Sequence, residues 1–430
     1  MLERLFALET FGIKLGLENI RHLCDALDHP ERTFLSLHIA GTNGKGSVTA
    51  MVHAALVAAG VSAARYTSPH LVQLNERFVV GKTPIDDETL RQAAEDVLDC
   101  ADRLQRTGIL PAPPTFFEAT TAIAFEIFRR KGVAVAAIEV GLGGRFDATN
   151  VLAPLVGAIT SIALDHQQHL GHSLAEIALE KAGIIKPSMT VVCGTLPTVA
   201  LDVMKRVAAE RGATLVEPTR TAQIHYEIDE GRARLTIQTE KHRYGPMRLA
   251  LRGEHQVGNA AVAVGILEAA SAKAVDVPVA AVVQGFETVN WPARLELFQL
   301  ADGTRVLLDA AHNPEGARAL GSYLAAWHPE RPVLVIGVMR DKDADAIVRE
   351  LLPVTSAVIT TAANTPRAMP ANELAACVKV VDAQRSVATY VDIRSALDAA
   401  LAHGTTVCVA GSIFLAGEVR ECLEQRGILR

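Results

Sequence analysis

The sequence predicts a two-domain α/β protein. We expect an N-terminal P-loop-type parallel sheet with a small antiparallel β appendage, followed by a C-terminal Rossmann-like α/β domain. Short apolar runs alternate with longer helical stretches, first before Lys186 and again after Arg305. Such alternation is typical of parallel sheets that are covered by helices on both faces. The chain of 430 residues is also longer than a single core usually reaches.

Seven runs rich in β-branched and aliphatic residues are predicted to be buried strands: 34–40, 133–140, 156–162, 306–308, 333–338, 357–361 and 407–410. Apolar residues at helical spacing predict helices between them, among them 48–59, 117–130 and 393–402. Together these elements support the α/β class in both halves.

The segment 214–251 has a different pattern. Apolar and polar residues alternate in 224–228, 234–239 and 247–251, with turn residues at 229–231 and 244–246. This pattern predicts an antiparallel appendage on the first domain. Pro292 follows and interrupts regular structure, so we place the domains at 1–292 and 293–430.

Charge and composition exclude several classes of partner. The net charge is −6, so no basic excess indicates nucleic acid or an anionic membrane surface. No run of about 18 apolar residues occurs, so no membrane span is expected. Six scattered cysteines without a C-x-x-C pair suit reduced thiols. We therefore expect a cytoplasmic protein.

A glycine-rich turn between the strand 34–40 and the following helix is the sharpest local signal. It contains Thr42, Asn43, Gly44, Lys45, Gly46 and Ser47. Backbone N–H groups of such a turn can surround a phosphate, and Lys45 can reach the terminal phosphates of ATP. The turn departs from the standard pattern, because Gly46 separates Lys45 from Ser47. An ordinary glycine turn is the alternative.

Candidate metal ligands lie at neighbouring strand ends. Glu139 ends an apolar run just before a glycine-rich loop, where open α/β sheets bind ligands. A carboxylate there suits Mg²⁺, although it could also face solvent. His166 follows the strand 156–162, and with His169 and His172 it could suggest zinc. Ser68 and Glu139 offer hard oxygen ligands, which favour magnesium.

Lys181 is predicted to lie in the last turn of a helix. Ser173 and Glu176 form a capping-box pattern at the start of this helix, and Gly183 ends it. From the sequence alone, Lys181 is a cation that complements the negative end of the helix dipole.

These segments resemble one known family. The turn at 41–47 resembles the nucleotide loop of the Mur-type ligase superfamily, and its extra glycine is similar to that of the folylpolyglutamate synthase/dihydrofolate synthase branch. Residues 66–77, 138–150 and 160–166 are similar to the same branch. The resemblance implies ATP with two Mg²⁺ ions, and it extends over most of the chain.

The resemblance also implies residue roles. Magnesium is held by Ser68, Glu139, His166 and a carbamylated Lys181, and catalysis rests on Lys45, Lys181 and His166. The nucleotide also contacts Asn259, Arg294, Asp309 and His312. The pterin-bearing substrate lies near residues 12–15 and near Thr115, Phe116, Phe117, Glu118, Phe146, Asp147 and Ala148. Ala293 stands where the family usually has glycine.

The implied reaction is the addition of L-glutamate to dihydropteroate and to tetrahydrofolate (poly)glutamates through an acyl phosphate. A monofunctional folylpolyglutamate synthase is one alternative. Another Mur-type ligase, acting on a nucleotide-linked sugar peptide, would need a further domain before Gly41. A non-catalytic P-loop nucleotide binder is an alternative of a different class. We expect a monomer with small-molecule substrates.

Overall fold

The computed structural model describes residues 2–12, 14 and 16–428. The chain divides into two compact units. One comprises Met1–His225, Leu235–Arg248 and Gly258–Val289, and the other comprises Tyr226–Arg234, Leu249–Val257 and Asn290–Arg430.

The first unit is built around an eight-stranded sheet. Its strands are β1 Leu35–Ala40, β2 Ala63–Tyr66, β3 Phe78–Val80, β4 Thr83–Pro84, β5 Val135–Glu139, β6 Val156–Ile159, β7 Thr190–Cys193 and β8 Thr214–Val216. The helices up to Thr288 are α1 Leu2–Ala7, α2 Glu18–Ala26, α3 Lys45–Ala58, α4 Asp87–Arg106, α5 Phe116–Arg130, α6 Gln167–Leu170, α7 Leu174–Ala182, α8 Thr198–Glu210, α9 Pro218–Thr221, α10 His255–Ser271 and α11 Val279–Thr288.

In the sheet, β1 lies between β5 and β6. The order is β4-β3-β2-β5-β1-β6-β7-β8, and β1 runs parallel to both β5 and β6. At one edge of the sheet, β3 pairs antiparallel with β2, and β4 pairs antiparallel with β3. The carboxyl ends of β1, β5 and β6 therefore meet at one edge of the sheet, where α/β proteins bind ligands.

Helix α3, which follows β1, packs closely against α11 in the first unit. On α11, Gly285 lies against the backbone of α3, where an added Cβ would be 2.5 Å from the Ala55 nitrogen. The absence of a side chain thus lets the two helices pack at close range. Because α3 begins at Lys45, this packing also fixes the start of the helix behind the glycine-rich turn.

A separate three-stranded sheet contains β9 Gln223–Asp229, β10 Arg232–Gln238 and β11 Arg243–Arg252, in the order β11-β10-β9. Its residues are divided between the two units. The short connections between consecutive strands require antiparallel pairing, as predicted. The predicted turn at 229–231 is confirmed, because Glu230 and Gly231 join β9 to β10.

The predicted turn at 244–246 is wrong. Pro246 lies inside β11, and the chain instead reverses at 239–242, where the Thr239 hydroxyl accepts hydrogen bonds from two backbone N–H groups. The physical reason is position: β11 is an edge strand, where a proline costs no ladder hydrogen bond. The buried Tyr244 side chain also anchors this end of the strand.

The second unit contains a six-stranded sheet in the order β12-β13-β17-β14-β15-β16. Its strands are β12 Glu296–Gln299, β13 Arg305–Leu308, β14 Val333–Ile336, β15 Val358–Thr360, β16 Val387–Thr389 and β17 Thr406–Ala410. Its helices are α12 Pro314–Trp327, α13 Ala344–Leu351, α14 Ala371–Val381, α15 Ile393–His403 and α16 Ile413–Gln425. Only β12 pairs antiparallel, with β13.

Both faces of this second sheet are buried. Leu307 packs into a core with α12, α13 and α14, whereas its neighbours Val306 and Leu308 pack into a second core with α15 and α16. This alternation explains the continuous apolar runs in the sequence. The predicted α/β class is confirmed, and the seven predicted strands are present with ends that differ by three residues or fewer.

No helix among the described residues combines the length and apolar character that crossing a membrane requires.

Two buried histidines predict a loss of stability in acid. Burial and nearby cations lower the pKa of His38 and of His53 to about 3. The unfolded chain binds protons at both rings below about pH 6.5, whereas the folded protein stays neutral there until about pH 3. The free energy of unfolding should therefore fall as the pH drops through this window, by up to about 1.4 kcal/mol per pH unit per histidine.

Denaturant titrations at several pH values test this expectation. Replacing His53 by leucine should make the dependence shallower by about one proton, while replacing the exposed His169 by glutamine should leave it unchanged. An equal pH dependence of the free energy of unfolding in the native protein and both variants would contradict the low pKa of His53.

Candidate functional site

The glycine-rich turn connects β1 directly to α3, and the end of β6 holds its shape. The Thr42 and Asn43 N–H groups donate to the Ser161 carbonyl and to Ser161 Oγ, both at 2.9 Å. The Thr160 hydroxyl donates to the Asn43 carbonyl at 2.6 Å. A side chain at Gly41 would collide with Thr160, so only glycine fits at the end of β1. Sequence reasoning did not single out Thr160 and Ser161.

Two lysines converge on the same carbonyl of this turn. Lys45 Nζ donates to the carbonyl oxygens of Gly41 and Thr42, each at 3.1 Å. Lys181 Nζ donates to the Gly41 carbonyl at 2.9 Å, and its side chain is buried. The predicted helix that carries Lys181 is confirmed as α7, with the capping box of Ser173 and Glu176 in place. The structure thus brings together two cations that are 136 residues apart.

The environment of Lys181 disfavours its charged form. Burial lowers the pKa of Lys181 to about 7, the nearby Lys45 ammonium acts in the same direction, and Asp165 and Asp147 oppose both. Near neutral pH, a substantial fraction of this amine is therefore unprotonated. An unprotonated lysine is a nucleophile, so its chemistry differs from that of a surface cation.

Asn259, which the resemblance assigns to nucleotide contact, lies beside the glycine-rich turn. An added Cβ at Gly44 would lie 2.5 Å from Asn259 Oδ1, and Gly44 has a φ of +83°. Both residues belong to the first unit. The position therefore requires glycine for two reasons, the left-handed backbone and the close amide side chain.

Replacing Gly44 by alanine is expected to weaken ATP binding at least about tenfold, because the methyl group would displace Asn259 and strain the turn. Isothermal titration calorimetry with an ATP analogue would measure this loss. Gly60 provides a matched control, since its φ is +76° and no atom lies within 4 Å of the added Cβ. Gly60→Ala should therefore lower the stability of the fold without changing the affinity for the ATP analogue.

Two of the predicted metal ligands lie together. Glu139 ends β5 and is buried, and its Oε2 accepts a hydrogen bond from the Ser68 backbone N–H at 3.3 Å. His166 lies beyond β6 at the start of α6, where its own N–H donates to the Asp165 carboxylate at 2.8 Å. Its side chain remains partly exposed.

The zinc alternative has no support in the structure. Among the residues that the structure describes, no group of three or more histidine, cysteine, aspartate or glutamate side chains could hold a metal ion. His169 and His172 are exposed. Ser68 and Glu139 offer hard oxygen ligands at this edge of the sheet, which suit Mg²⁺.

The residues predicted to lie near the pterin-bearing substrate, which is the acceptor of glutamate, form two adjoining segments. Thr115, Phe116, Phe117 and Glu118 start α5, while Phe146, Asp147 and Ala148 belong to the loop after β5. An added Cβ at Gly141 would lie 2.5 Å from the Phe117 ring, so this glycine lets the first segment pack against the loop of the second.

These acceptor residues differ in exposure. Phe146 is 37% exposed, with the Arg145 guanidinium 4.7 Å from its ring centre. Asp147 is buried and accepts hydrogen bonds from the Leu142 and Thr149 backbone N–H groups at 2.8 and 3.0 Å. Asp147 therefore fixes the shape of the loop that presents Phe146.

Other predicted acceptor residues have structural partners. Thr115 and Glu118 form a capping box, and the buried Glu118 also accepts from Asn19 at 3.4 Å. Of the segment 12–15, residues 13 and 15 lie outside the described residues.

The second unit holds three predicted nucleotide contacts close together in sequence. The Asp309 carboxylate accepts hydrogen bonds from the Leu295 and Ala311 N–H groups, both at 2.9 Å. His312 Nδ1 lies 2.9 Å from the Ala310 carbonyl, so it carries the ring proton. Arg294 donates to the Ala293 carbonyl at 2.9 Å.

The backbone at Ala293 has a φ of +53°, which is the left-handed conformation that glycine adopts without strain. Ala293 therefore holds a backbone conformation that carries strain for alanine and would carry little for glycine. His255, which lies close enough to Asp309 and Arg294 to interact with both electrostatically, was given no role in the sequence analysis.

Comparison with known proteins identifies the family. Residues 39–267 match the Mur ligase middle domain, and residues 293–413 match the Mur ligase glutamate ligase domain. The chain is 32% identical to the dihydrofolate synthase/folylpolyglutamate synthase of Bacillus subtilis, over 96% of each chain.

Solved structures agree with this match. Mycobacterium tuberculosis folylpolyglutamate synthase complexed with ADP has a TM-score of 0.91 at 33% identity, covering 98% of this chain and 97% of that one. Escherichia coli FolC in complex with DHPP and ADP has a TM-score of 0.87 at 28% identity, covering 99% and 98%. The chain therefore belongs to the Mur ligase superfamily, within its folylpolyglutamate synthase/dihydrofolate synthase branch, and is an enzyme of the ligase class.

Proposed function

We propose that this ATP-dependent ligase adds L-glutamate to dihydropteroate and to tetrahydrofolate (poly)glutamates through an acyl phosphate. The position of Lys45 at the glycine-rich turn carries the proposal, because its ammonium group lies at the Gly41 and Thr42 carbonyl oxygens, where it can stabilise the charge of a bound phosphate. The names of the relatives support folate-type acceptors, and the ligands of the solved structures support nucleotide use.

The first step is phosphoryl transfer. A carboxylate oxygen of the acceptor attacks the γ-phosphorus of ATP, the bond to the β-phosphate oxygen breaks, and ADP leaves. The Lys45 ammonium stabilises the charge on the transferring group, while the backbone N–H groups of the turn orient the phosphates. No covalent bond to the enzyme is required.

Magnesium fits the residues at the sheet edge. Glu139 offers a buried carboxylate that accepts a hydrogen bond from the Ser68 backbone N–H, and we propose the Ser68 hydroxyl group, His166 and carbamylated Lys181 as further ligands. When bound, Mg²⁺ would supply positive charge that stabilises the transferring phosphoryl group. The preference of this ion for phosphate oxygens and one or two carboxylates agrees with the small set of protein ligands.

The second step forms the amide. The amine of L-glutamate attacks the acyl carbon, phosphate leaves with its bridging oxygen, and the amine loses a proton. We propose that the 293–430 domain takes part in this chemistry, with Arg294, Asp309 and His312 contacting the nucleotide. The match of this region to a glutamate ligase domain supports its participation.

ADP release tests the proposal. Purified protein is incubated with ATP, Mg²⁺ and L-glutamate, together with dihydropteroate or with tetrahydrofolate. Release that needs both glutamate and an acceptor supports the ligase, and activity with one acceptor alone identifies a monofunctional enzyme. ATP binding without such release would identify a non-catalytic nucleotide binder.

An isotope experiment tests the acyl phosphate. Dihydropteroate carrying ¹⁸O in its carboxylate is the acceptor, and the released phosphate is analysed by mass spectrometry. One ¹⁸O atom in the phosphate is expected, because the acceptor oxygen becomes the bridging oxygen and leaves with phosphorus. Unlabelled phosphate would exclude this intermediate.

Lys181 is predicted to form a carbamate with CO₂. The neutral amine attacks the carbon of CO₂ and loses a proton, which converts a buried cation beside Lys45 into an anion. Because the pKa of Lys181 is about 7, the modification should decline as the pH falls below neutrality.

Carbon-13 NMR of protein equilibrated with ¹³C-bicarbonate tests the modification. A carbamate signal is expected in the native protein, and it should be absent in Lys181→Met. The same signal in both proteins would assign the carbamate to another amine.

A further inference from the structure

A buried histidine on β1 is joined by hydrogen bonds to the loop after β5 that contains Phe146 and Asp147, which we call the acceptor loop. His38 lies three residues before Gly41, is fully buried, and has its Nε2 atom 2.8 Å from Thr149 Oγ1. Thr149 is also fully buried, and its hydroxyl group donates a hydrogen bond to Asp147 Oδ1. The three side chains form a continuous chain from the central strand to the acceptor loop.

The hydrogen bonds in this chain have one direction. Asp147 is a carboxylate that accepts, so the Thr149 hydroxyl must donate its only hydrogen to it. Thr149 Oγ1 must then accept from His38, which requires the tautomer that carries hydrogen on Nε2. His38 Nδ1 is buried and has no hydrogen-bond partner among the described residues. Burial keeps the ring neutral, because the pKa of His38 is lowered to about 3.

The chain ends on a carboxylate that needs support. Burial raises the pKa of Asp147, while hydrogen bonds from Thr149 and Leu142 oppose this effect. The loss of a hydrogen bond to this carboxylate favours the protonated form of Asp147 and weakens the contacts that hold the loop. The same loop contains the exposed Phe146 ring and packs against Phe117 through Gly141. A substitution at His38 should therefore alter the position of the loop at which the acceptor is proposed to bind.

We propose that His38 is a positioning residue for the acceptor, acting through Thr149 on Asp147 and on the loop that presents Phe146. The inference rests on the proposed function, since it assumes that this loop binds the pterin-bearing substrate. It assigns to β1 a second task besides carrying the phosphate-binding turn.

Steady-state kinetics with paired variants test the inference. Thr149→Val removes the hydroxyl group at nearly constant volume, and His38→Leu removes the donor. Both should raise the KM for dihydropteroate about tenfold or more, since each loss affects a hydrogen bond that supports a buried charge. The KM for ATP should change less than about twofold. Thr149→Ser and His38→Gln retain the donors and should restore the acceptor KM.

A control separates positioning from general loss of stability. Thr355 is fully buried in the second unit, and its hydroxyl group donates to the Leu351 carbonyl. Thr355→Val should lower stability without changing the KM for dihydropteroate. An equal rise of the acceptor KM in Thr355→Val and Thr149→Val, or an equal rise of the KM for ATP in Thr149→Val, would overturn the proposal.

Imidazole ¹⁵N NMR provides a readout that does not depend on activity. In native protein, His38 should show hydrogen on Nε2, and this signal should change in Thr149→Val. An Nδ1–H or protonated ring at neutral pH would overturn the proposal. If native protein shows the Nε2–H tautomer but no ligation with either acceptor, the proposed function fails and the positioning role fails with it, while the hydrogen-bond chain stands.

Discussion

Replacing Lys45 by methionine is expected to lower kcat on the order of a thousandfold. The lysine places a positive charge at the turn that we propose holds the triphosphate, and methionine has a similar length without that charge. Because the group acts on the transferring phosphoryl, the loss should appear in kcat more than in the KM for the acceptor.

The same variant should alter Lys181. The Lys45 ammonium contributes to the low pKa of Lys181, so its removal should raise that pKa and decrease the amount of carbamate near neutral pH. ADP-release kinetics and carbon-13 NMR measure the two effects. Lys205→Met is a matched control, because Lys205 is exposed on α8. A Lys45→Met enzyme within tenfold of the native kcat would refute the assigned role.

Replacing Glu139 by glutamine is expected to lower kcat/KM by at least about a hundredfold and to raise the Mg²⁺ concentration needed for half-maximal rate. The substitution keeps the shape of the side chain but removes the negative charge from a buried position beside Ser68. A neutral amide oxygen is a weaker magnesium ligand than a carboxylate.

Magnesium titrations of the native and variant enzymes measure this effect. The fold should survive, because loss of a buried, partly paired charge also removes its desolvation cost. Glu210→Gln, at the exposed end of α8, is the control for a change of one unit in net charge. An unchanged magnesium dependence in Glu139→Gln would show that this carboxylate faces the site without binding the metal.

The elements that sequence reasoning located correctly have local causes. The helix Leu174–Ala182 was predicted because Ser173 and Glu176 can satisfy free N–H groups within one turn. The glycine-rich turn was found because its backbone requirements depend on adjacent residues, among them Gly44 with its positive φ. The buried strands were found because both faces of each parallel sheet are covered, so their residues are continuously apolar.

Predictions failed or were absent where partners are distant in sequence. Pro246 was assigned to a turn, because the sequence does not tell which strand forms the edge of a sheet. Ser161 was not identified as a support of the turn at Asn43, which lies 118 residues away. His38 likewise had no visible role, since its partner Thr149 is 111 residues further along the chain.

The sequence by itself determined the fold class, the phosphate-binding turn, the carboxylate at the end of β5 and the family resemblance. Periodicity, capping and glycine placement act over a few residues, so they can be read along the chain. Only the tertiary structure decided that Lys181 shares a carbonyl with Lys45, that Asn259 lies against Gly44, and that Thr149 joins β1 to the acceptor loop. These relations depend on strand order, which brings Thr149 to His38 and so decides the tautomer of this histidine, and on burial, which lowers the pKa of Lys181.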